Sequence, residues 1–553
     1  MHALTRAAIF ITVMTGATFC LAAQQQKNGN LTGSITGHVT IGGKPAPNIA
    51  VMLMTSGGDT GTGRTTTKAS ADREGLFEFT RLPAGRYQIV AFAPAYFSRT
   101  DEQDFQGGKT IMLSDGESVE GINISLKRGG VITGRITDAR GRPLVQQYIT
   151  LASLDEQGRT QSFYSAYYRM MQTDDRGIYR VYGLPSGRYQ VSVGVPLNQG
   201  HIRMGYGNTY YPITYHPGVM DESKATTIEV TSGGEAKGVD IVVGRIEKAY
   251  TLRGRVVDAD TGKPMANQVC GYGYVHPYDN YISSVATGAQ SDDKGEFRIE
   301  SIVPGKFVAL AMVGEGGELY ADPAPFEITD NDVDGIEIKI HRGASISGAV
   351  VIEGLSEQEA AAKFSEINLM ASVPTAVRMF RRSGTKVNPD GSFRITGVQP
   401  GKAQIAIHYS NSKGISLLRV ERDGVEQRES IEVAAGESVS GVKVFVAYGT
   451  GIIRGQVKVE GSDMPTFLQI MAVSRPAGEG SRPIHNYALI DARGRFVFEG
   501  LTSGEYELYL NGGSFDLPGG KPLRMKTEKQ TVVVTNGAET EVTLVLEQAA
   551  KDR

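Results

Sequence analysis

Asp72-Arg73-Glu74-Gly75-Leu76-Phe77-Glu78-Phe79-Thr80-Arg81-Leu82-Pro83-Ala84-Gly85-Arg86-Tyr87-Gln88-Ile89 is the stretch that decides how the rest of the chain is read. It opens on an Asp-x-x-Gly turn, in which the carboxylate accepts a backbone N–H two residues on and glycine suits the fourth position of a type I turn. Phe77 and Phe79, two residues apart, lie on one face of a strand. Pro83 fixes φ and ends that strand before Gly85, after which Tyr87 and Ile89 resume the alternation.

The same frame recurs four more times. With the turn glycine as origin (Gly75, Gly177, Gly295, Gly391, Gly494), a second glycine follows ten residues later at Gly85, Gly187, Gly305, Gly401 and Gly504. Three residues before the origin stands Asp72, Asp174, Asp292, Asn388 or Asp491. The positions at +2, +4, +7, +12 and +14 are apolar or aromatic in every copy, as in Tyr179, Val181, Leu184, Tyr189 and Val191 of the second. The fourth copy reads Phe393, Ile395, Val398, Ala403 and Ile405. Repetition with such fixed spacing is the signature of tandem units.

Each repeat also has a legible beginning and end. Opening strands centre on Gly37, Gly134, Gly254, Gly348 and Gly455, and closing strands follow Gly121, Gly238, Gly335 and Gly441. In the fifth repeat Glu541 replaces that glycine, while Val542, Leu544 and Leu546 keep the alternation. The expected division is therefore a signal at 1–23, a linker at 24–31, and β-sandwich repeats at 32–127, 128–246 (with tyrosine-rich insertions), 247–341, 342–447 and 448–548. Almost no linker separates the repeats, which predicts a stiff rod. Ser356 and Glu359 form a capping box before Ala360, predicting one short helix inside the fourth repeat.

The glycine-framed opening strand, the D-x-x-G-x-[FY]-x-[FIV] turn and the [LIV]-x-x-G-x-[FY] corner closely resemble the carboxypeptidase-regulatory-like domain family, over residues 32 to 548. The resemblance implies an all-β protein: five tandem transthyretin-like or immunoglobulin-like antiparallel β-sandwich domains in a rod-like array, related in fold to starch-binding and Cna-B-type modules. It implies an accessory, non-catalytic module and says little about ligand.

Composition bounds the rest. Fifty-seven basic and 60 acidic residues give a net charge of −3. This is not the basic footprint that neutralises nucleic-acid phosphates. Arg6, the apolar run from Ala7 to Leu21 and the small Ala22-Ala23 pair read as a secretion signal. No later stretch approaches a membrane span. The expected location is thus periplasmic, secreted or loosely held at the cell surface. Only Cys270 remains after the signal, so no intrachain disulfide forms; burial and pairing between chains are both open to it.

Catalytic patterns are sought and not found. None of the eight histidines begins His-x-x-Glu or His-Glu-x-x-His, so the zinc peptidase ligand set is missing. The second repeat holds His201, Tyr206, Tyr210, Tyr211, Tyr215 and His216, but no His-x-His pair of the kind an iron dioxygenase needs. Asp330, Asp332 and Asp334 begin like a calcium loop that has His341 at its twelfth position, and the segment also aligns with the closing-strand turn. An isopeptide crosslink needs an opening-strand lysine where this chain has His38, Arg135, Arg255, Ala349 and Gln456. The expectation is no enzyme, no cofactor and no metal.

The insertions that break the repeat are the candidate ligand-binding loops. They carry Tyr164, Tyr167, Tyr168, Tyr206, Tyr210, Tyr211 and Tyr215 in the second repeat, and Tyr272, Tyr274, Tyr278 and Tyr281 in the third. Exposed, such rings suit sugars or protein partners; packed, they cover the ends of their own sandwiches. Two function classes follow: a scaffold docking envelope proteins, or a carbohydrate-binding protein recognising a surface glycan.

Overall fold

The computed structural model describes residues 32–548 except 56–64, 99–107, 156, 163–171, 196–207, 276–281, 314–316, 375–382, 409–413, 429, 461–467, 476–482, 511–513, 516–522 and 527–528. The chain divides into two compact units, one built from residues 32–55, 65–93 and 108–127, the other from residues 94–98 and from residue 128 onward. Both are built of strands, with one α-helix, Glu357–Phe364, among the described residues. Ser356 and Glu359 close the expected capping box on that helix.

In the first unit, Leu76–Leu82, Gly33–Ile41 and Ile124–Arg128 belong to one sheet, and Thr66–Ser70, Ala50–Thr55, Gly85–Phe92 and Lys109–Leu113 form the other in that order. The second unit repeats the scheme. Around Leu252, Phe297 and Phe307 one sheet has the order Glu296–Ile302, Tyr250–Asp258, Val333–Arg342, Leu319–Ala321, and its mate the order Ile282–Gln290, Val269–Val275, Gly305–Met312, Ala324–Ile328. Separate cores form around Ile132, Tyr179 and Tyr189, around Ile346, Phe393 and Ile395, and around Ile453, Phe496 and Tyr506. The two strands of the sequence frame lie in opposite sheets, so the Pro-x-Gly turn is a corner that carries the chain across the sandwich.

Among the described strands the parallel pairing is that of each opening strand with the segment closing its repeat, continuous at Gly455↔Val542, shifted at Gly254↔Ile336, and split into two short stretches in the first two repeats. The +2 aromatic sits opposite the opening-strand glycine in every copy: Gly37↔Phe77, Gly134↔Tyr179, Gly254↔Phe297, Gly348↔Phe393, Gly455↔Phe496. A methyl group on Gly254 would lie 2.7 Å from the Phe297 ring. That closeness is why the position holds no side chain.

The turn glycine is required twice over. Gly75 has φ +77°, and a Cβ there would lie 2.5 Å from the Val39 carbonyl oxygen. Its own carbonyl accepts the Val39 N–H at 2.8 Å, a bond repeated at Ile136, Val256, Val350 and Val457 at 2.7–2.8 Å.

The step of three between +4 and +7 breaks period two, and a β-bulge absorbs it. The residue at +6 is left-handed in all five copies: Arg81 (56°), Gly183 (77°), Ser301 (64°), Gly397 (67°) and Gly500 (72°). Each coincides with a register shift against the opening strand. The bulge returns the +7 side chain to the core, and of the twenty-five frame positions only Ile405 is not buried.

Candidate functional site

The repeat turns hold most of the carboxylates that sequence could offer as acid–base groups, and there they cap backbone. Asp72 accepts the N–H groups of Glu74 and Leu76 at 3.0 and 2.7 Å. Asp174 does the same for Arg176 and Ile178, Asp292 for Lys294 and Glu296, and Asp491 for Arg493 and Arg495. The Arg176 guanidinium on Asp174, with the Ile178 N–H, holds that carboxyl below its ordinary range. Where the fourth repeat has Asn388, Asp390 accepts the Ser392 N–H at 2.9 Å instead.

Among the candidate tyrosines, Tyr210, Tyr215, Tyr272 and Tyr274 are buried, at 2, 8, 3 and 5 % exposure. Rings so enclosed present no face to a ligand. Tyr272 and Tyr274 pack edge-on against Phe307 inside the third repeat's core, at centroid distances of 5.4 and 6.3 Å. Burial pushes the Tyr272 phenol up to about 12. Tyr211 is half-buried against the second repeat's core. Tyr164, Tyr167, Tyr168, Tyr206, Tyr278 and Tyr281 lie outside the described residues, as does His201.

Tyr210 has a role that the sequence did not disclose. Thr209 and Tyr210 pair antiparallel with Lys248 and Glu247, and the Tyr210 hydroxyl donates to Glu247 Oε2 at 2.8 Å. Its ring shares a small cluster with Ala249, Val303 and Val195. The insertion of the second repeat thereby clamps the segment that leads into the third. Burial, then the Glu247 carboxylate, raise the Tyr210 phenol well above its ordinary value. Other junctions of this unit join through backbone: Gly343 N–H donates to Glu318 O, and Gly449 N–H to Gly414 O, both at 2.7 Å.

The calcium-like loop is engaged internally. Asp332 accepts the Thr251 N–H at 3.0 Å, and Arg253 reaches both Asp332 and Asp334, at 3.3 and 2.8 Å. The Thr251 N–H is the main cause that holds the Asp332 carboxyl low, with Lys248 and Arg253 adding to it. Asp330 accepts from Thr329 and Asn331. Among the described residues no three His, Cys, Asp or Glu side chains are grouped to hold a metal ion. At the opening-strand position where an isopeptide lysine would stand, Arg135 and Gln456 donate to the turn carbonyls of Arg176 and Arg493. Cys270 is fully buried with its thiol toward Gln268 O at 3.4 Å, and burial pushes its pKa up to about 11. Of the two fates open to this thiol, the structure shows burial.

No protein-family model matches this chain, and no curated protein does. Partial likenesses to solved structures exist. A streptococcal ancillary pilin is 13% identical over 55% of this chain and 98% of its own, with a TM-score of 0.23. The Bacillus anthracis TIE protein is 11% identical over 84% of this chain and 71% of its own, at 0.16. GBS52, the minor pilin of Streptococcus agalactiae, is 15% identical over 38% of this chain and 95% of its own, at 0.20. Scores this low carry no argument about what this chain does, and the assignment rests on its own strands and cores. The chain is an all-β protein of tandem sandwiches.

Proposed function

We propose that the chain is an exported, non-catalytic scaffold or binding protein of the cell envelope or extracellular space, built from five carboxypeptidase-regulatory-like repeats dividing near residues 127, 246, 341 and 447. The observation that carries this reading is the internal use of its chemically capable side chains. Turn aspartates cap backbone N–H groups, and Asp332 and Asp334 pair with Arg253. Export rests on the leader at 1–23, outside the described residues. Among the described residues no helix is long and apolar enough to cross a membrane.

Burial of Tyr210, Tyr215, Tyr272 and Tyr274 favours the scaffold over sugar recognition by these rings. The test is retention of residues 24–553 on insoluble polysaccharides and on a glycan array. The scaffold reading expects no specific retention. Retention lost in a Tyr164→Ala/Tyr167→Ala/Tyr168→Ala variant would instead establish a glycan site on the second repeat's insertion.

A further inference from the structure

In every repeat the strand that opens the sandwich lies beside the segment that closes it, and the two run the same way. The chain therefore enters such a pair at one end of the ladder and leaves at the other. Tension between entry and exit draws the two strands past each other along their own axis. The evenly spaced bonds of a parallel run then resist together, whereas two strands pulled apart at one end open bond by bond.

Tension passes directly from one pair to the next. Gly343 alone stands between the closing strand Val333–Arg342 and the opening strand Ala344–Glu353. Gly449 and Thr450 stand between Ser438–Tyr448 and Gly451–Glu460. Links this short have little slack to give before the strands themselves are drawn tight.

The ladders differ along the chain. In the fifth repeat pairing is unbroken from Ile452↔Glu539 to Glu460↔Glu547. In the fourth it is unbroken from Gly348↔Val442 to Glu353↔Ala447, after a shift that follows Ile346↔Val439. The first repeat has only Ser34↔Ser118 with Ile35↔Val119, then Val39↔Ile124 to Ile41↔Leu126. The second has Val131↔Glu235 with Ile132↔Ala236, then Ile136↔Ile241 to Asp138↔Val243. Across these gaps the Ile122 N–H donates to Thr36 O and the Val239 N–H to Thr133 O, each at 3.1 Å. The Arg135 N–H turns away from the ladder to the Asp240 carboxylate at 2.8 Å. Each gap or shift coincides with a left-handed glycine, Gly121, Gly238, Gly335 or Gly441, at φ +71° to +78°. Glu541 takes that place where the ladder is unbroken.

We propose that the chain bears tension, as a tether in which the first two repeats yield before the fourth and fifth. A pull then lengthens the chain one repeat at a time before its longest ladders part. The proposal rests on the division into five repeats and goes beyond the scaffold reading, which needs no resistance to force. Forced unfolding reports the barrier to parting, which the direction of pull sets, and not equilibrium stability.

The test is single-molecule force spectroscopy on residues 24–553, drawn between their two ends at constant speed. Five unfolding events are expected. The second repeat, residues 128–246, is the longest, so its event releases the most chain and should fall among the weakest. A second attachment locates the strength. Ala538 is an exposed turn residue ahead of the closing strand, and its carbonyl accepts the Ile452 N–H at 3.0 Å, at the entry end of the ladder. Moving the C-terminal handle to an introduced thiol, Ala538→Cys, makes force enter and leave the fifth repeat at that one end. Cys270 is fully buried and does not compete for the handle. The strongest event should then be lost from the record while the four others stay, which also shows that the variant is folded. A strongest event that persists with the moved handle, or a second-repeat event as strong as the strongest, overturns the proposal. A count other than five, with the strongest event still lost on moving the handle, would overturn the division into repeats and leave the ladders as the holding elements.

Discussion

Gly254 and Gly455 occupy the same place in their repeats, yet an added methyl group should fail for different reasons. At Gly254 it would meet the Phe297 ring at 2.7 and 2.9 Å, and the backbone carbonyl oxygen of Ile336 closer still. At Gly455 the three nearest atoms all belong to the Phe496 ring, within 2.5 Å. Overpacking costs roughly 1–3 kcal/mol, and a strained strand hydrogen bond adds about 1 kcal/mol. Against that, alanine loses less unfolded-chain entropy, which offsets about 0.4–1 kcal/mol. Gly254→Ala and Gly455→Ala should therefore each destabilise their own repeat by about 2–3 kcal/mol, read as ~30- to 140-fold faster exchange of its core amides. Phe496→Leu should recover much of the Gly455→Ala loss, with a coupling of about 1–2 kcal/mol. Phe297→Leu should recover little at Gly254, because the Ile336 carbonyl remains. Hydrogen exchange by mass spectrometry on the intact chain resolves each repeat, which a global melt of a multi-core protein does not. Equal rescue at both sites, or simple additivity at Gly455, would refute the reasoning.

Other outcomes follow from the same structure. Ser301 carries φ +64° where Gly183, Gly397 and Gly500 stand in sister repeats, so Ser301→Gly should stabilise the third repeat by about 0.5–1 kcal/mol, seen as slower exchange of its amides. Cys270 should resist thiol reagents at pH 8 until denaturant is added. Its raised pKa means that its contribution to stability is complete below the unfolded thiol's range and is lost as pH rises toward about 11, measurable as a falling denaturation midpoint over that window. Tyr210→Ala should open the clamp on Glu247, so that limited trypsin cuts faster at Arg245 and Lys248 while core amides of both flanking repeats keep their protection. Unchanged cleavage there would show that the segment is held by other contacts.

Much of the fold was legible because its constraints are local. An Asp-x-x-Gly turn, an aromatic at +2 and a glycine opposite it are dictated by hydrogen bonding and space within a few residues, and they recur unaltered. Even the departure at Glu541 was informative: repeats with glycine there show φ near +75° and a broken or shifted parallel ladder, whereas Glu539–Gln548 pairs without a shift. The +4 to +7 step also held the bulge in plain view. The parallel pairing of first and last strands was not legible, because it joins residues about eighty apart with no local signal. Nor was the fate of the tyrosines: composition alone does not separate Tyr210, buried across a junction, from a ring offered to solvent. Ala403 was visible as an exception in the frame, though not that it would still be fully buried.

One frame builds every repeat, and residue-resolved hydrogen exchange on the intact chain tests this most directly. The amides of Val39, Ile136, Val256, Val350 and Val457, bonded to the turn-glycine carbonyls, should all rank among the slowest of their repeats. Fast exchange at any one of these five amides, beside protected neighbours in the same repeat, would contradict the shared frame.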